Sequence, residues 1–141
     1  MRFPLSLAFS AVLAIGVAAC GRLTGPGRGM EFTVGKAEVN ATGDRALASS
    51  ADGAVVVEGH ITAPDPCQDI RGESTNVAGE LTISVIARSK DVGCAQVIGV
   101  FPYRAVVRDL VAGSYRVRVL YRYENTGWPV KAVLDTVVTV R

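Results

Sequence analysis

The stretch Glu80-Leu81-Thr82-Ile83-Ser84-Val85-Ile86-Ala87-Arg88 decides the fold class. Apolar and polar residues alternate along most of it, and this period of two is typical of a β-strand with one buried face. The inward face of the predicted strand consists of Leu81, Ile83, Val85 and Ala87.

Further strands are predicted on both sides of this stretch, because the same β-branched and alternating pattern recurs between turn residues. They cover residues 32–39, 54–62, 95–109, 115–123 and 132–140. Pro102 interrupts the 95–109 run, and since proline cannot donate to a β-ladder it predicts either an edge strand or two short strands joined at a bend.

Two segments are less regular. We interpret residues 40–53 as a loop in which 44–50 could form a short helical turn, and residues 68–79 as a short edge strand over 68–71 followed by a loop. No long helical period occurs, so the chain is expected to be an all-β sandwich or a small barrel.

The segment Leu110-Val111-Ala112-Gly113-Ser114-Tyr115-Arg116-Val117 resembles the tyrosine corner of immunoglobulin-like and fibronectin type III-like domains. The resemblance covers roughly residues 54–141 and implies one antiparallel Greek-key β-sandwich of about seven strands. Leu110, Gly113 and Tyr115 would be its structural residues. It implies a fold and no mechanism. The cysteines at a strand end and a turn do not match the inter-sheet pair of an antibody domain.

Composition excludes several classes of protein. A chain of 141 residues with a net charge of +2 and 49% hydrophobic residues is neither disordered nor a strongly basic nucleic-acid binder. Its length fits one domain. We therefore expect no nucleic-acid partner.

The N-terminus carries a targeting pattern. Arg2 is followed by an apolar run of about 13 residues from Leu5 to Val17, which is too short for a typical membrane-spanning helix. Val17-Ala18-Ala19-Cys20 resembles the lipobox of bacterial lipoproteins. This resemblance implies a signal peptide at 1–19, lipidation of Cys20 and a mature chain attached to a membrane. The alternatives are a plain secretory signal or a buried N-terminal strand.

Domain boundaries follow from that interpretation. Residues 20–30 are rich in glycine and predict a flexible tether, and residues 31–141 form the sandwich domain. Gly21 after the cysteine does not match the aspartate that retains lipoproteins at an inner membrane. The expected location is the cell envelope, with the outer membrane favoured over the inner one where the source has two membranes.

Cys67 and Cys94 are the two cysteines that lipidation leaves. An even pair in an exported chain predicts a disulfide, which would close a loop of about 28 residues and stabilise the fold by roughly 3–4 kcal/mol. A metal site or a catalytic thiol is the less favoured interpretation, because His60 is the only histidine and no Cys-x-x-Cys spacing occurs.

Catalytic and metal-binding patterns are not found in the sequence. A serine triad would have to use His60, which the strand pattern places on an outward face. Asp65, Asp69 and Glu73 form an acidic set around a proline-rich turn, and solvated surface is the favoured interpretation. We predict no enzyme activity, no metal and no cofactor.

Two surfaces are candidates for binding. Arg116, Arg118 and Arg122 share one face of a predicted strand and could bind carboxylate or phosphate groups, although a solvated polar face is the simpler interpretation. Trp128 lies in a predicted turn and either covers the end of the core or serves as an exposed anchor.

The expected function follows from these points. The leading expectation is a lipid-anchored, non-enzymatic protein with a binding or structural accessory role, whose partner is an envelope protein or a cell-wall polymer. The alternative is a small protein inhibitor or ligand-binding module that uses the strand-end loops around Trp128.

Overall fold

A computed structural model describes residues 29–39, 41, 43–90 and 92–141, and within these residues there are nine β-strands and no helix. The all-β prediction is confirmed, with nine strands where about seven were expected. The strands are β1 (Met30–Val34), β2 (Glu38–Val39), β3 (Arg45–Ala51), β4 (Ala54–Ala63), β5 (Asp69–Val77), β6 (Glu80–Arg88), β7 (Gly99–Val107), β8 (Gly113–Glu124) and β9 (Lys131–Val140).

The strands form two sheets that pack face to face. The first sheet has the order β1-β7-β4-β3, with β2 also paired to β7, and the second has the order β5-β6-β8-β9. Alternate residues of the central strands point into one shared core, as the sequence predicts for β4, β6 and β8. The fully buried side chains of this core include Val55, Val57, Ile61, Leu81, Ile83, Val85, Val117, Val119 and Tyr121.

The second sheet is mixed, which corrects the prediction of an antiparallel sandwich. β6 and β8 run parallel, with Leu81 opposite Val117 and Val85 opposite Tyr121, whereas the other strand pairings are antiparallel. Parallel neighbours need a crossover connection. Here β7, which lies in the opposite sheet, supplies it between the two strands.

Residues 45–51 form a strand where a loop was expected, and the short edge strand predicted over 68–71 is longer than expected, because β5 lies at the sheet edge but continues through Val77. Each strand is paired through a two-residue turn. Asp52 and Gly53 join β3 to β4 with φ of 49° and 72°, and Ala78 and Gly79 join β5 to β6 with φ of 51° and 83°. Positive φ at both central residues is the hairpin geometry that matches the twist of the flanking strands.

Pro102 lies inside a single continuous strand, contrary to the expectation of an edge position or a bend. β7 has β4 on one side and β1 with β2 on the other. The carbonyl of Pro102 accepts a hydrogen bond from Gly35 N at 2.8 Å, so its ring nitrogen faces the interval between β1 and β2. The missing N–H therefore falls where no regular partner strand is present.

A β-bulge in β9 corrects the predicted alternation of the last strand. Val119 pairs with Leu134 but Leu120 pairs with Ala132, so Val133 is the additional residue. Val133 packs against the core. Strict alternation would place Ala132 on the same inward face as Leu134, but Ala132 is exposed.

The sandwich has two distinct ends. The chain-entry end contains Met30, the turns at 52–53 and 78–79, and residues 108–112. The disulfide end contains residues 64–68, 89–90, 92–98 and 125–130. The predicted signal peptide, the lipidation site Cys20 and most of the tether lie outside the described residues. Met30 is already the first residue of β1.

Candidate functional site

The outer face of the second sheet carries Arg116 and Arg118 of the predicted arginine stripe. Arg116 donates to both carboxylate oxygens of Asp135 at 2.8 Å, and Arg118 Nη1 lies 3.1 Å from Glu80 Oε1. The hydrogen bond from Arg116 is the main cause that lowers the pKa of the Asp135 carboxyl. Both guanidinium groups are therefore neutralised by carboxylates of the neighbouring strands β6 and β9.

Arg122 has a different environment. It is exposed, and no described carboxylate lies within ion-pair distance of it. Its partner in the β6 register is Ile86, which is fully buried although it points away from the shared core. Of the three predicted arginines, Arg122 alone has no described carboxylate to neutralise it.

Trp128 both covers the end of the core and is partly exposed, the two alternatives that the sequence left open. Its ring packs edge-to-face on Tyr123 with the centroids 5.2 Å apart, and 37% of the residue is exposed. Since Tyr123 packs against the core, one side of the indole covers the end of the sandwich while the remainder faces solvent. Aromatic residues in this half-exposed state are common in binding surfaces.

The predicted disulfide is confirmed, with Cys67 and Cys94 bonded and their Cα atoms 6.1 Å apart. Cys67 lies in the connection from β4 to β5 and Cys94 in the connection from β6 to β7. Both connections cross between the sheets, so the bond joins two crossovers at one end of the domain.

Asp65 lies beside the disulfide. Its carboxylate and the two cysteine sulfurs are the one group of potential metal ligands found close together among the described residues. The sulfurs are bonded to each other, so they are not available as thiolate ligands. The Asp65 carboxylate instead accepts hydrogen bonds from Cys67 N at 2.9 Å and Gln68 Nε2 at 2.7 Å. Asp69 and Glu73 lie on β5 and do not join this group.

His60 lies on the outer face of the first sheet, as predicted. It borders a shallow surface depression together with Arg45, Leu47 and Pro102. No other described metal-ligating residue forms a close group with it. The neighbouring ion pair of Arg104 with Glu58, at 3.1 Å, belongs to the same face.

Tyr115 has the geometry that the tyrosine-corner motif describes. Its hydroxyl donates to the carbonyl of Val111 at 2.8 Å, and its ring is buried. The segment between them carries the chain from β7 in the first sheet to β8 in the second. Leu110 packs against the core, and Gly113 is the first residue of β8.

Two buried tyrosine hydroxyls form a bridge across the core that the sequence did not reveal. Tyr121 Oη of β8 lies 2.9 Å from the carbonyl oxygen of Arg45, 2.8 Å from that of His60, and 3.0 Å from Tyr103 Oη. Burial raises the pKa of Tyr103 to about 12 and shifts that of Tyr121 in the same direction. Both hydroxyls are consequently neutral over the physiological range.

Gly59 makes room for this bridge. A Cβ atom built there would lie 2.2 Å from the Arg45 carbonyl oxygen and 2.7 Å from Tyr103 Oη. A glycine inside the apolar strand 54–62 is the signal in the sequence that could have indicated a close approach at this point.

The fold and its end loops define an all-β sandwich domain with a disulfide between its sheet crossovers. The chain belongs to the ORF11 beta-sandwich domain family, whose model matches residues 55–130, more than half of the 141 residues. No curated protein and no solved structure matches the chain. Among the described residues, no helix is long and apolar enough to span a membrane.

Proposed function

We propose that this protein is attached to a membrane of the bacterial cell envelope through a lipid on Cys20, and that its sandwich domain binds a partner or supports an envelope structure without catalysis. The observation that carries the proposal is the Val17-Ala18-Ala19-Cys20 segment at the end of a short apolar run behind Arg2. Two or three acyl chains on one cysteine would hold the protein at the membrane essentially permanently.

The position of the first strand supports the proposal. Met30 begins β1, so nine residues, 21–29, separate Cys20 from the folded domain. Four of these nine residues are glycines, a composition suited to a flexible tether. The disulfide is also consistent with export, since structural disulfides persist in oxidising compartments.

The non-enzymatic role rests on the chemistry of the side chains. The single histidine lies on an outer sheet face, and the hydroxyls of the buried tyrosine pair are held by backbone carbonyls and by each other. A general base needs hydrogen-bond access to a substrate proton. The two tyrosine hydroxyls have no such access and support the fold, and we take the exposed loops at the disulfide end as the surface for a function.

The test is metabolic labelling with palmitate, followed by membrane fractionation, of the full chain and of Cys20→Ser. We expect the label on the wild-type chain only, and release of the variant into the soluble fraction. Cys67→Ser is the control, because it also replaces one cysteine by serine, which breaks the Cys67–Cys94 bond, but keeps Cys20 and should keep the label. A Cys20→Ser chain that stays labelled and sedimentable would refute the lipid anchor.

A further inference from the structure

The Asp65 carboxylate and the two cysteine sulfurs have a second chemistry, which appears when the disulfide is reduced. Their ligand atoms lie within 4.8 Å of one another. Sequence spacing did not indicate this group, because Cys94 lies 27 residues after Cys67 on a different connection. A dithiol reductant cleaves the bond by thiol–disulfide exchange. The group then offers two thiols and a carboxylate, and cysteine and aspartate are ligands that Zn²⁺ takes in proteins.

Gln68 provides an independent observation at the same place. It is 5% exposed, and its Nε2 donates to Asp65 Oδ2 at 2.7 Å, whereas its Oε1 is buried without a hydrogen-bond partner among the described residues. A half-turn of the amide exchanges the oxygen and the nitrogen. Oε1 then faces the Asp65 carboxylate, and two oxygens that can only accept hydrogen bonds need a cation between them.

The connection that carries three of these residues is held firmly. Residues 64–68 have the sequence Pro-Asp-Pro-Cys-Gln, and each proline fixes its own φ. The connection also lies directly against β7, since a Cβ atom built on Gly99 would be 2.8 Å from Pro66 Cα and 2.9 Å from the carbonyl oxygen of Asp65. Ligands that are fixed before an ion arrives lose little conformational entropy when it binds.

The spacing of the ligand atoms suits a tetrahedral zinc ion. Zn–S bonds of about 2.3 Å and Zn–O bonds of about 2.0–2.2 Å place neighbouring ligands roughly 3.3–3.8 Å apart. Two thiols that are no longer bonded move apart to van der Waals contact, which for heavy atoms is about 3.5–4.0 Å. Reduction therefore brings the sulfurs to the separation that zinc requires, in a group that already lies within 4.8 Å.

We propose that the reduced chain binds one Zn²⁺ ion at this site and that formation of the disulfide releases it. The four ligands are Asp65, Cys67, Gln68 and Cys94. Binding converts the two thiols to thiolates and releases two protons. On release, the two thiolates give two electrons to a disulfide oxidant and form the bond between Cys67 and Cys94, while the oxidant takes up two protons and becomes a dithiol. None of the ligands takes part in lipidation, so the site is independent of the proposed function.

Cobalt titration of the full chain with the substitution Cys20→Ser tests the site, because Cys67 and Cys94 are then its only cysteines. Co²⁺ binds the same ligands as Zn²⁺ and makes thiolate coordination visible as a near-ultraviolet charge-transfer band. After reduction with a phosphine, we expect one Co²⁺ ion per chain, this band, and displacement of the cobalt by Zn²⁺. The oxidised chain should show no band, and Cys67→Ser should lose it.

Asp65→Asn and Asp69→Asn form a matched pair, because each removes one carboxylate from the same end of the domain. Asp69 is the first residue of β5 and is not a member of the ligand group. We expect Asp65→Asn to weaken Zn²⁺ binding to the reduced chain at least about tenfold, since even an outer-shell partner of a metal contributes that much. Asp69→Asn should leave the affinity unchanged, and Gln68→Met, which removes the amide oxygen, should lower it by about three- to tenfold.

Urea denaturation provides a measurement that does not depend on the cobalt spectrum. Zn²⁺ should raise the midpoint of the reduced chain and leave that of the oxidised chain unchanged, because an ion that binds only the native state stabilises it. Four results would overturn the inference: no metal on the reduced chain, equal binding by the reduced and oxidised chains, an undiminished band in Cys67→Ser, or equal effects of Asp65→Asn and Asp69→Asn. None of them bears on the lipid anchor, which palmitate labelling of the wild-type chain tests separately.

Discussion

The tyrosine bridge yields a sharp prediction, since Tyr121→Phe removes one oxygen atom and leaves the shape of the core nearly unchanged. A carbonyl oxygen can only accept, so the Tyr121 hydroxyl donates toward the carbonyls of Arg45 and His60, and its bond with Tyr103 is then donated by the Tyr103 hydroxyl. Tyr121 is fully buried and Tyr103 is 4% exposed, so water cannot replace the lost partner without a rearrangement.

The expected cost follows from what each substitution leaves unpaired. Tyr121→Phe leaves the buried hydroxyl of Tyr103 without a hydrogen-bond partner and removes the donor to the two carbonyls. This should lower the free energy of unfolding by about 1–3 kcal/mol. Tyr103→Phe removes a donor but leaves the bond from Tyr121 to the backbone intact, and its cost should be nearer 0.5–1.5 kcal/mol. The double variant should cost less than the sum of the two single substitutions, because it contains no buried hydroxyl without a partner.

Urea denaturation of the domain, followed by far-ultraviolet circular dichroism, measures all three free energies at equal m-values. Trp128 fluorescence provides an independent probe at the disulfide end. Three results would contradict this prediction: a neutral Tyr121→Phe, a Tyr103→Phe that is the more destabilising of the two, or effects that simply add. Any of these results would mean that the hydroxyls do not act as one unit.

Three further predictions concern the same core and the bond at its end. Burial raises the pKa of Tyr103 to about 12, so the free energy of unfolding should be constant up to about pH 10 and should fall above it, because the unfolded chain ionises first. The fall should be up to about 1.4 kcal/mol per pH unit for each such tyrosine. Denaturation midpoints measured between pH 8 and 11.5 test this, and a flat profile would contradict it. Replacing Cys67 and Cys94 together by serine should cost about 3–4 kcal/mol, and a change below 1 kcal/mol in thermal or urea unfolding would argue against the bond. Gly59→Ala should destabilise the domain by about 2–4 kcal/mol or prevent folding. Gly127→Ala is the control and should be nearly neutral, because its added Cβ meets nothing within 4 Å. Similar effects of the two substitutions would disprove the close approach at Gly59.

Strand faces were predictable because burial of one side of a sheet imposes a period of two. β6 has the predicted limits, 80–88, and its inward residues Leu81, Ile83 and Val85 are fully buried. The same rule fails in β9, where the bulge at Val133 exposes Ala132. A bulge is set by pairing with a neighbouring strand, which a local pattern does not contain.

β3 was not predicted and β5 was predicted too short, and the two errors have different causes. Asp52-Gly53 is a strong hairpin signal that could have identified β3, but the polar and small residues after Arg45 obscured it. β5 lies at the edge of its sheet, and its inward positions include Gly72 and Ser74. Gly72 is closely approached by the ring of Phe32 from the other sheet, a tertiary contact that leaves no periodic apolar signal.

The arginine face shows what local sequence could not supply for a candidate site. Arg116 and Arg118 were correctly placed on one face, but their partner Asp135 comes from β9 and Glu80 from β6. Which cations are neutralised depends on the strand order, and the parallel neighbour of β8 was not predicted. The neutralised charges of Arg116 and Arg118, and the unpaired charge of Arg122, are therefore known only from the fold.

The lipid anchor is tested most directly by mass spectrometry of the N-terminal peptide of the protein purified from its own membranes. We expect a peptide that begins at Cys20, lacks residues 1–19 and carries a diacylglyceryl group on the cysteine sulfur. A peptide that retains residues before Cys20, or that contains Cys20 with an unmodified thiol, would contradict it.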